Sequence, residues 1–388
     1  MPVDNWVSGC LDELVAFRRD LHSNPELLYD LPRTSAQVAS ALRKAGCDEV
    51  VEGIGKTGVV AVIHGKSNTS GRAIGLRSDM DALPILEATG KPWASQTPGK
   101  MHACGHDGHT AMLLGAAMGL VQSRAFDGTA VLIFQPAEEG GAGARAMIED
   151  GLFRRWPVSE VYGMHNRPNL PVGEFTIAPG SIMGSVDMID IEIEGVGGHA
   201  AMPHQTIDPA PVIAALIQAV QTITARTINP MDSAVISITT IHGGDAFNVI
   251  PQTIRMTGTV RTLNDAVRDH VEARLNQAVT GIAAAYGAQG KLDYSRHYPV
   301  TVNHAHETEL AAVAAETVAG VGRVSRDMPA TLGGEDFAFM LNEVPGAMIN
   351  IGNGPSAGLH HPAYDFNDEA IAWGCSYWCE LVRQRLPL

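Results

Sequence analysis

A nine-residue segment, residues 101–109, concentrates side chains that can bind a metal ion. It reads MHACGHDGH and holds three histidines, one cysteine and one aspartate. Zinc and similar divalent ions readily accept imidazole nitrogens and thiolates as ligands. Cys104 and His106 are two residues apart, so in an extended segment both side chains would point the same way. The segment favours a metal site, with a surface histidine cluster or a buried structural cysteine as the alternatives.

Two adjacent carboxylates, Glu138 and Glu139, follow the apolar run TAVLIFQ at residues 129–135. Such a continuous run predicts a strand buried on both faces of a sheet, which places the two acids at its carboxyl end. Because adjacent side chains point apart, one carboxylate could bind a metal while the other faces a water molecule. A carboxylate beside a metal-activated water is suited to general-base catalysis. The alternative is a charged surface loop.

Three histidines are further candidates. His165 ends the predicted strand EVYGMHN, and taken alone a structural histidine is the safer interpretation. In company with Cys104, His106 and Glu139 it becomes a plausible fourth ligand. His360 is a candidate fifth ligand, but His361 is its immediate neighbour, and the chemistry of the side chains does not separate the two.

Asp79 and Asp81 end a predicted strand that begins at residue 73. Ligands collect at strand ends in open α/β sheets. A carboxylate there could bind a metal, or it could orient a liganding histidine by a hydrogen bond. A solvated turn is the alternative.

The pattern of apolar residues predicts two domains. Residues 1–184 and 298–388 alternate Val- and Ile-rich strands with helices, which indicates an α/β fold. Residues 185–297 contain strands that alternate apolar and polar side chains, typical of a sheet with one solvated face. The element order there is β-α-β-β-α-β, the ferredoxin-like split unit, so this part is predicted to be an inserted domain.

The inserted domain carries a polar cluster of its own. It consists of His199 in the segment GGHAAMPH, Asn248 in NVIP, and Arg261. From the residue types alone, His199 could simply stabilise a turn and Arg261 could be an exposed strand residue.

Composition excludes several classes of function. The 388 residues carry a formal net charge of −15, which argues against binding nucleic acid or an anionic membrane. No run of 18 apolar residues predicts a membrane span. Five scattered cysteines favour a reducing cytoplasm over a disulfide framework. The chain start predicts an amphipathic helix over residues 4–20 rather than a signal peptide.

Taken together, the motifs resemble the co-catalytic metallopeptidases, which include aminoacylase, carboxypeptidase G-type enzymes and acyl-amino-acid amidohydrolases. The resemblance is strongest to the hippurate hydrolase and auxin-conjugate hydrolase branch, and it covers nearly the whole chain in order. The motifs that carry it are RSDMDALPI (77–85), MHACGHDGHTAMLLGAA (101–117), QPAEEGGAGA (135–144), MHN (164–166), GGHAAMPHQTIDP (197–209), NVIP (248–251), GGEDFA (333–338) and LHHPAYDFNDEA (359–370).

This resemblance implies a catalytic domain with a mixed sheet flanked by helices, and an inserted lid domain that also forms a homodimer or higher homo-oligomer. It implies two divalent metal ions per subunit, zinc, manganese, cobalt or nickel, and Glu138 as the general base. The pattern Leu-His-x-Pro selects His360 over His361. The ligands that it assigns are Cys104, His106, Glu139, His165 and His360.

Two departures from the family pattern leave some roles open. Carboxypeptidase-type relatives have a bridging aspartate where this chain has Cys104, and a histidine where it has Asp79. The bridging ligand and the roles of Asp79 and Asp81 are therefore undecided. A thiolate also favours softer metal ions.

The implied reaction is hydrolysis of the amide bond of an N-acyl amino acid, a small-molecule substrate, to a carboxylic acid and a free amino acid. The resemblance suggests that His199 donates a hydrogen bond to the oxyanion, and that Asn248 and Arg261 hold the substrate carboxylate. One alternative is a dipeptidase or carboxypeptidase with the same metals. Another is a non-catalytic metal-binding scaffold, against which Glu138 argues because a pure binder needs no base.

Overall fold

The computed structural model describes residues 6–388. Contacts divide the chain into two compact units. The first unit runs to Gly180 and resumes over Val302–Pro329 and Asp336–Leu388. The inserted unit comprises Ser181–Thr301 and Ala330–Glu335. The sequence predicts this last short segment in the first domain, whereas its contacts group it with the inserted unit.

The chain before residue 180 forms most elements of the first unit. These are α1 (Val7–Ser23), α2 (Pro32–Ala45), β1 (Glu49–Ile54), β2 (Gly58–His64), β3 (Ala73–Asp79), α3 (His106–Ser123), β4 (Thr129–Gln135), α4 (Gly143–Glu149), α5 (Leu152–Arg155), β5 (Glu160–Arg167) and β6 (Phe175–Thr176). Helix α1 corresponds to the helix predicted over residues 4–20, of which positions 4 and 5 lie outside the described residues.

The middle of the chain follows with a second set of elements. These are β7 (Gly180–Met183), β8 (Val186–Glu194), β9 (Gly198–His199), α6 (Pro209–Arg226), β10 (Ala234–His242), β11 (Val249–Ile250), β12 (Thr253–Thr262), α7 (Asp265–Ala285) and β13 (Gln289–Tyr298). The remaining elements are β14 (Thr301–Asn303), α8 (Ala305–Ala319), β15 (Val324–Ser325), α9 (Ala338–Glu343), β16 (Gly346–Gly352) and α10 (Ala370–Arg385).

Eight strands of the first unit form one mixed sheet in the order β1-β2-β4-β3-β5-β16-β6-β15. The strands β4, β3, β5 and β16 are parallel to their neighbours within this run, so their carboxyl ends meet at one edge of the sheet. Strand β4 is buried along almost its whole length, as its continuous apolar run predicts. Helices α1, α3, α8 and α10 pack on one another and on the sheet. This is the predicted α/β fold with a mixed sheet flanked by helices.

The inserted unit contains a four-stranded antiparallel sheet in the order β10-β12-β8-β13. In β8 the buried positions alternate with less buried ones, and Ile189, Ile191 and Ile193 face a core shared with α6 and α7. The sheet strands and the two helices follow one another along the chain in the order β8, α6, β10, β12, α7 and β13, which is the order predicted for the split unit. Within the described residues, no helix combines the length and apolarity needed to cross a membrane.

Candidate metal centre

All five predicted ligands meet in the first unit, at the edge where the parallel strands end. Candidate ligand atoms of Cys104, His106 and His165 lie within 4.8 Å of one another. Those of Cys104, Glu139 and His360 also lie within 4.8 Å of one another. Two sets of three donors therefore share one member, the thiol of Cys104.

The turn that separates Cys104 from His106 is sharp. Gly105 adopts a left-handed conformation with φ 85° and ψ 19°, and His106 is the first residue of α3. The pair therefore lies at the turn into a helix and not in an extended segment, but its two ligand atoms still lie within 4.8 Å of each other. A Cβ at position 105 would lie 2.4 Å from Nδ2 of Asn166 and 2.5 Å from the hydroxyl of Tyr364. Only glycine supplies both the conformation and the space.

His106 is held with one nitrogen free to coordinate. Its Nδ1 lies 2.8 Å from the carbonyl oxygen of Asp81, which can only accept, so Nδ1 carries a hydrogen. Its Nε2 is buried and has no hydrogen-bond partner in the part of the chain that the structure describes. Burial would lower the pKa of His106, but the surrounding carboxylates, Asp79 foremost, raise this pKa to about 10. The electrostatic environment of this nitrogen therefore favours a positive charge beside it.

Glu139 presents a second unsatisfied atom to the same space. Its Oε1 is buried without a hydrogen bond and lies 3.3 Å from Nε2 of His360 and 4.0 Å from Nε2 of His106. A buried polar atom without a partner costs about 1–3 kcal/mol. A divalent cation would satisfy both atoms, and thiolate, imidazole and carboxylate are donors that zinc-like ions accept. The donor set therefore fits the predicted metals.

His165 and Cys104 complete one of the two ligand sets. Nδ1 of His165 lies 2.7 Å from the carbonyl oxygen of Asn166, which leaves Nε2 facing the Cys104 sulfur at 3.4 Å. Burial and the neighbouring His109 lower the pKa of His165 to about 3, so its imidazole is neutral, as a ligand must be. Burial and nearby carboxylates raise the pKa of the Cys104 thiol.

The two neighbouring histidines of the last loop point to different partners. His360 lies in the left-handed region with φ 62°, and its N–H donates to the carbonyl of Ala103 at 2.8 Å. Its Nε2 reaches Glu139, as described above. By contrast, Nδ1 of His361 accepts the N–H of Ala363 at 3.0 Å, within its own loop. The structure brings His360, and not His361, into the cluster.

Asp81 and Asp79 act through different contacts. The Asp81 carboxylate accepts the backbone N–H groups of Glu138 at 2.9 Å and Glu139 at 3.1 Å, so it holds the turn that carries both acids. Asp79 accepts from Arg77 at 2.9 Å and lies 2.6 Å from Nδ1 of His109. Asp79 forms a further group of candidate ligand atoms with His106 and His109, but neither aspartate belongs to the two sets of three donors that share Cys104.

Glu138 is placed beside the ligands. It is largely buried, and its carboxylate lies within 4.8 Å of the ligand atoms of His106 and Glu139. A carboxylate at this range can reach a water molecule held at the cluster.

Three supporting residues were not among the predicted site residues. Nε2 of His109 accepts the N–H of Asn166 at 2.9 Å, and the Asn166 side chain donates to the Cys104 carbonyl at 2.6 Å. The hydroxyl of Tyr364 donates to Oδ1 of Asn166 at 2.7 Å. The only sequence signal for them is their position inside the motifs MHACGHDGH, MHN and LHHPAYD.

The three remaining candidates lie in the inserted unit. His199 in β9 is exposed and pairs opposite Val249 in β11, the residue after Asn248. Nδ1 of His199 accepts the N–H of Ala201 at 3.0 Å, so a neutral ring carries its hydrogen on Nε2 and can donate there. These are contacts within the inserted unit.

Arg261, on β12, is half-buried. Its guanidinium donates to the carbonyl of Val260 at 3.1 Å, and among the described residues it forms no ion pair with a carboxylate. Burial lowers the pKa of Arg261, and Asp187 partly opposes that effect. The group remains a cation with most of its donors available.

Comparison with known proteins identifies the family of this chain. Residues 75–384 match peptidase family M20/M25/M40. The chain is 40% identical over 370 residues to an N-acetylcysteine deacetylase of Bacillus subtilis, covering 95% of this chain and 96% of the relative. It is 39% identical over 385 residues to a hippurate hydrolase of Campylobacter jejuni, covering 98% and 100%.

One solved structure is similar to this chain in both fold and sequence. A dinuclear metal-binding peptidase of the M20 family from Bacillus subtilis superimposes with a TM-score of 0.86 and 37% identity, over 98% of this chain and 99% of that one. The chain therefore belongs to peptidase family M20/M25/M40. The predictions of the family, the α/β fold class and a metal-dependent amidohydrolase are confirmed.

Proposed function

We propose that this protein hydrolyses the amide bond of N-acyl amino acids and releases a carboxylic acid and a free amino acid. One observation carries the proposal: the buried Glu138 carboxylate lies beside a donor cluster in which His106 Nε2 and Glu139 Oε1 have no hydrogen-bond partner among the described residues. The deacetylase and the hippurate hydrolase, by their names, act on substrates of this class.

The overlapping ligand sets support two metal positions. Cys104, His106 and His165 would hold one cation, and Cys104, Glu139 and His360 would hold the other, so Cys104 belongs to both sets. A bound divalent cation supplies a Lewis acid that polarises the amide carbonyl and lowers the pKa of water to about 7. A thiolate ligand favours zinc, cobalt or nickel over manganese.

Glu138 would move the proton in the reaction. It would accept a proton from the attacking water and return it to the nitrogen of the leaving amino acid. Asp81 keeps Glu138 in place, because it accepts the Glu138 backbone N–H. The neighbouring Glu139 would stay a ligand, which divides the two acids between chemistry and binding.

The inserted unit would contribute substrate contacts. The Nε2–H of His199 would donate to the developing oxyanion, and Arg261 would grip the substrate carboxylate through two N–H groups, with Asn248 beside it. The tautomer set by the Ala201 N–H at His199 supports the first assignment. At Arg261, the absence of an ion pair with any carboxylate of residues 6–388 supports the second.

We also propose a homodimer formed through the inserted unit. Strand β10 lies at one edge of its sheet, and its sequence AVISITTIH contains no Asp, Glu, Lys or Arg. Exposed Val235 and Ile241 lie on the same strand. An uncharged edge strand can pair with a second copy of itself. The five cysteines, all free thiols, support a reducing, cytoplasmic location.

The test measures free amine released from benzoylglycine and acetyl-amino acids, with free dipeptides assayed in parallel. Treatment with a chelator should abolish the release, and zinc, manganese, cobalt or nickel should restore it. Full activity of the metal-stripped protein would refute the proposal. Faster cleavage of the dipeptides would instead support a dipeptidase, and the absence of any hydrolysis in a metal-loaded protein would indicate a binding scaffold.

A further inference from the structure

Two cationic side chains near the end of α1 are completely buried and belong to none of the site residues discussed so far. Arg18 and His22 are each 0% exposed and lie four residues apart, so they share one face of the helix. Burial of a guanidinium and an imidazole is costly unless both are paired. The carboxylates that pair with Arg18 and His22 therefore identify the segments that these two side chains connect.

Both cations converge on one oxygen of Asp107. Nε of Arg18 and Nδ1 of His22 each lie 2.8 Å from Oδ2 of Asp107. Asp107 is itself fully buried and is the second residue of α3, directly after His106 and three residues after Cys104. The two cations thus fix the first turn of the helix that begins with a ligand.

Arg18 also reaches the loop that carries the last ligand. Its Nη2 donates to Oδ1 of Asp365 at 3.0 Å. Asp365 follows His360 by five residues, and the Tyr364 between them donates to the Asn166 side chain. One guanidinium therefore joins α3 to the His360 loop.

His22 reaches the same loop by a second route. Its Nε2 lies 3.3 Å from Oε1 of Glu87. The next residue, Ala88, donates its N–H to the carbonyl of Pro362 at 2.8 Å. Pro362 is two residues after His360, so the His22 contact also restrains the segment that carries this ligand.

We propose that Arg18 and His22 are positioning residues for the metal centre. They hold the segment of Cys104 and His106 in register with the loop of His360, although neither cation touches a ligand atom. This rests on the proposed function, because it takes those three residues as ligands. A ligand set that is already in place loses less conformational freedom when it binds, so its metal affinity is higher.

Helix α1 offers a matched control in Arg19. Its Nη2 pairs with Oδ2 of Asp368 at 2.7 Å, and its guanidinium lies 3.7 Å from the centre of the Trp93 ring. Its side chain is 39% exposed, and none of its described contacts reaches Asp107. Arg19→Met therefore removes a partly exposed cation from the same helix and leaves both contacts to Asp107 in place, although its partner Asp368 also lies 3.6 Å from Nη1 of Arg18.

The experiment compares wild type, His22→Leu, His22→Gln and Arg19→Met as full-length proteins stripped of metal. Zinc affinity is measured by competition with a chromophoric chelator, and the cobalt-loaded proteins are compared by their thiolate-to-cobalt absorption. His22→Leu should bind zinc about 10–100-fold more weakly, the usual effect of losing a residue that supports a ligand. It should also alter the cobalt spectrum. His22→Gln, which can still donate one hydrogen bond to Asp107, should lie between His22→Leu and wild type.

Arg19→Met should match wild type in both measurements. An unchanged zinc affinity in folded His22→Leu, or an equal loss in Arg19→Met, would overturn the proposal. If His22→Leu does not fold, His22→Gln decides, and an affinity equal to that of Arg19→Met would overturn it. Wild type that binds two metal ions without cleaving acyl-amino acids refutes only the proposed function. Wild type that binds no metal refutes both.

Discussion

Asp187 in the inserted unit and Glu139 in the first unit are both largely buried carboxylates, but their surroundings differ. Asp187 accepts from Arg268 on both of its oxygens, and the hydroxyl of Tyr294 donates to its Oδ2 at 2.7 Å. Within residues 6–388, one buried oxygen of Glu139 makes no hydrogen bond, although Nε2 of His360 lies 3.3 Å from it, and the nearby Nε2 of His106 makes none either. The first cluster is closed by its own residues, while the second leaves its polar atoms for a ligand.

Stabilising and functional charges in this molecule can therefore be separated by their hydrogen bonds. A carboxylate whose hydrogen bonds are all made within the protein needs no further partner, so its removal should change stability and be insensitive to metal. A carboxylate with an open oxygen beside an open imidazole nitrogen contributes fully only when a cation is present. Each of the following predictions tests one side of this distinction.

The largest effect is expected in the open cluster. Glu138→Gln keeps the shape of the side chain but cannot accept a proton, so turnover should fall by about 10²–10⁴-fold while bound metal is retained. Glu139→Gln is the matched control, because it removes a ligand instead of the base, and it should lower metal content first. Turnover and metal content by elemental analysis are the measurements. Exchanged phenotypes would mean that the roles of the two acids are reversed.

In the closed cluster we expect a loss of stability alone. Arg268→Met leaves Asp187 buried without its cation, which should lower the free energy of unfolding by about 3–5 kcal/mol. Urea unfolding should give the same loss with and without chelator. Arg296→Met, in the same unit, breaks an exposed pair with Glu272 and should cost about 1 kcal/mol or less. If the loss of unfolding free energy in Arg268→Met depended on metal, the distinction between the Asp187 and Glu139 clusters would be contradicted.

A smaller and pH-dependent effect is expected at His22. Both of its ring nitrogens lie beside carboxylates of the protein, so, like Asp187, it has its partners within the chain. Burial would lower the pKa of His22, but Asp107 and Glu87 outweigh it and raise this pKa to about 9. The protonated form is therefore favoured in the folded state. Its contribution is fully present below the unfolded pKa of about 6.5 and disappears as the pH rises through about 9.

His22→Gln removes this titration, so its stability deficit relative to wild type should shrink by about 3 kcal/mol between these limits. Urea unfolding in chelator at both pH values measures the deficit. A deficit that grows as the pH rises would show that His22 is neutral in the folded protein.

Periodicity and strand ends carried much of the information about the fold and the cluster. The continuous apolar run of β4 and the alternating pattern of β8 predicted a buried sheet and a half-exposed sheet, and both are present. Because parallel strands end at one edge, residues after β4 and near the end of β5 could be expected together. The positions of Glu139 and His165 relative to their strands are therefore consistent with their proximity in the structure.

Other features depend on contacts that spacing does not encode. The residue types alone do not separate His360 from His361, and the pattern Leu-His-x-Pro selects His360 only through the family resemblance. The left-handed backbone at His360 is visible only in the structure. The contacts from α1 to Asp107 join residues more than 80 positions apart, so no local pattern predicts them. The left-handed turn at Gly105 fits a space bounded by Asn166 and Tyr364, which lie far away in the sequence.

The turn at Gly105 also restricts which substitutions the gene can accept at this position. Every missense change in a glycine codon adds a side chain, and at Gly105 the first carbon of any side chain would overlap Asn166 and Tyr364. Any missense allele at this codon would therefore have to displace the side chains of Asn166 and Tyr364, whereas silent alleles would have no effect on the structure. In a saturation library selected for activity, codon 105 should retain glycine alone, while the codon for Gly140, where an added Cβ meets no atom within 4 Å, should be restricted only by its positive φ.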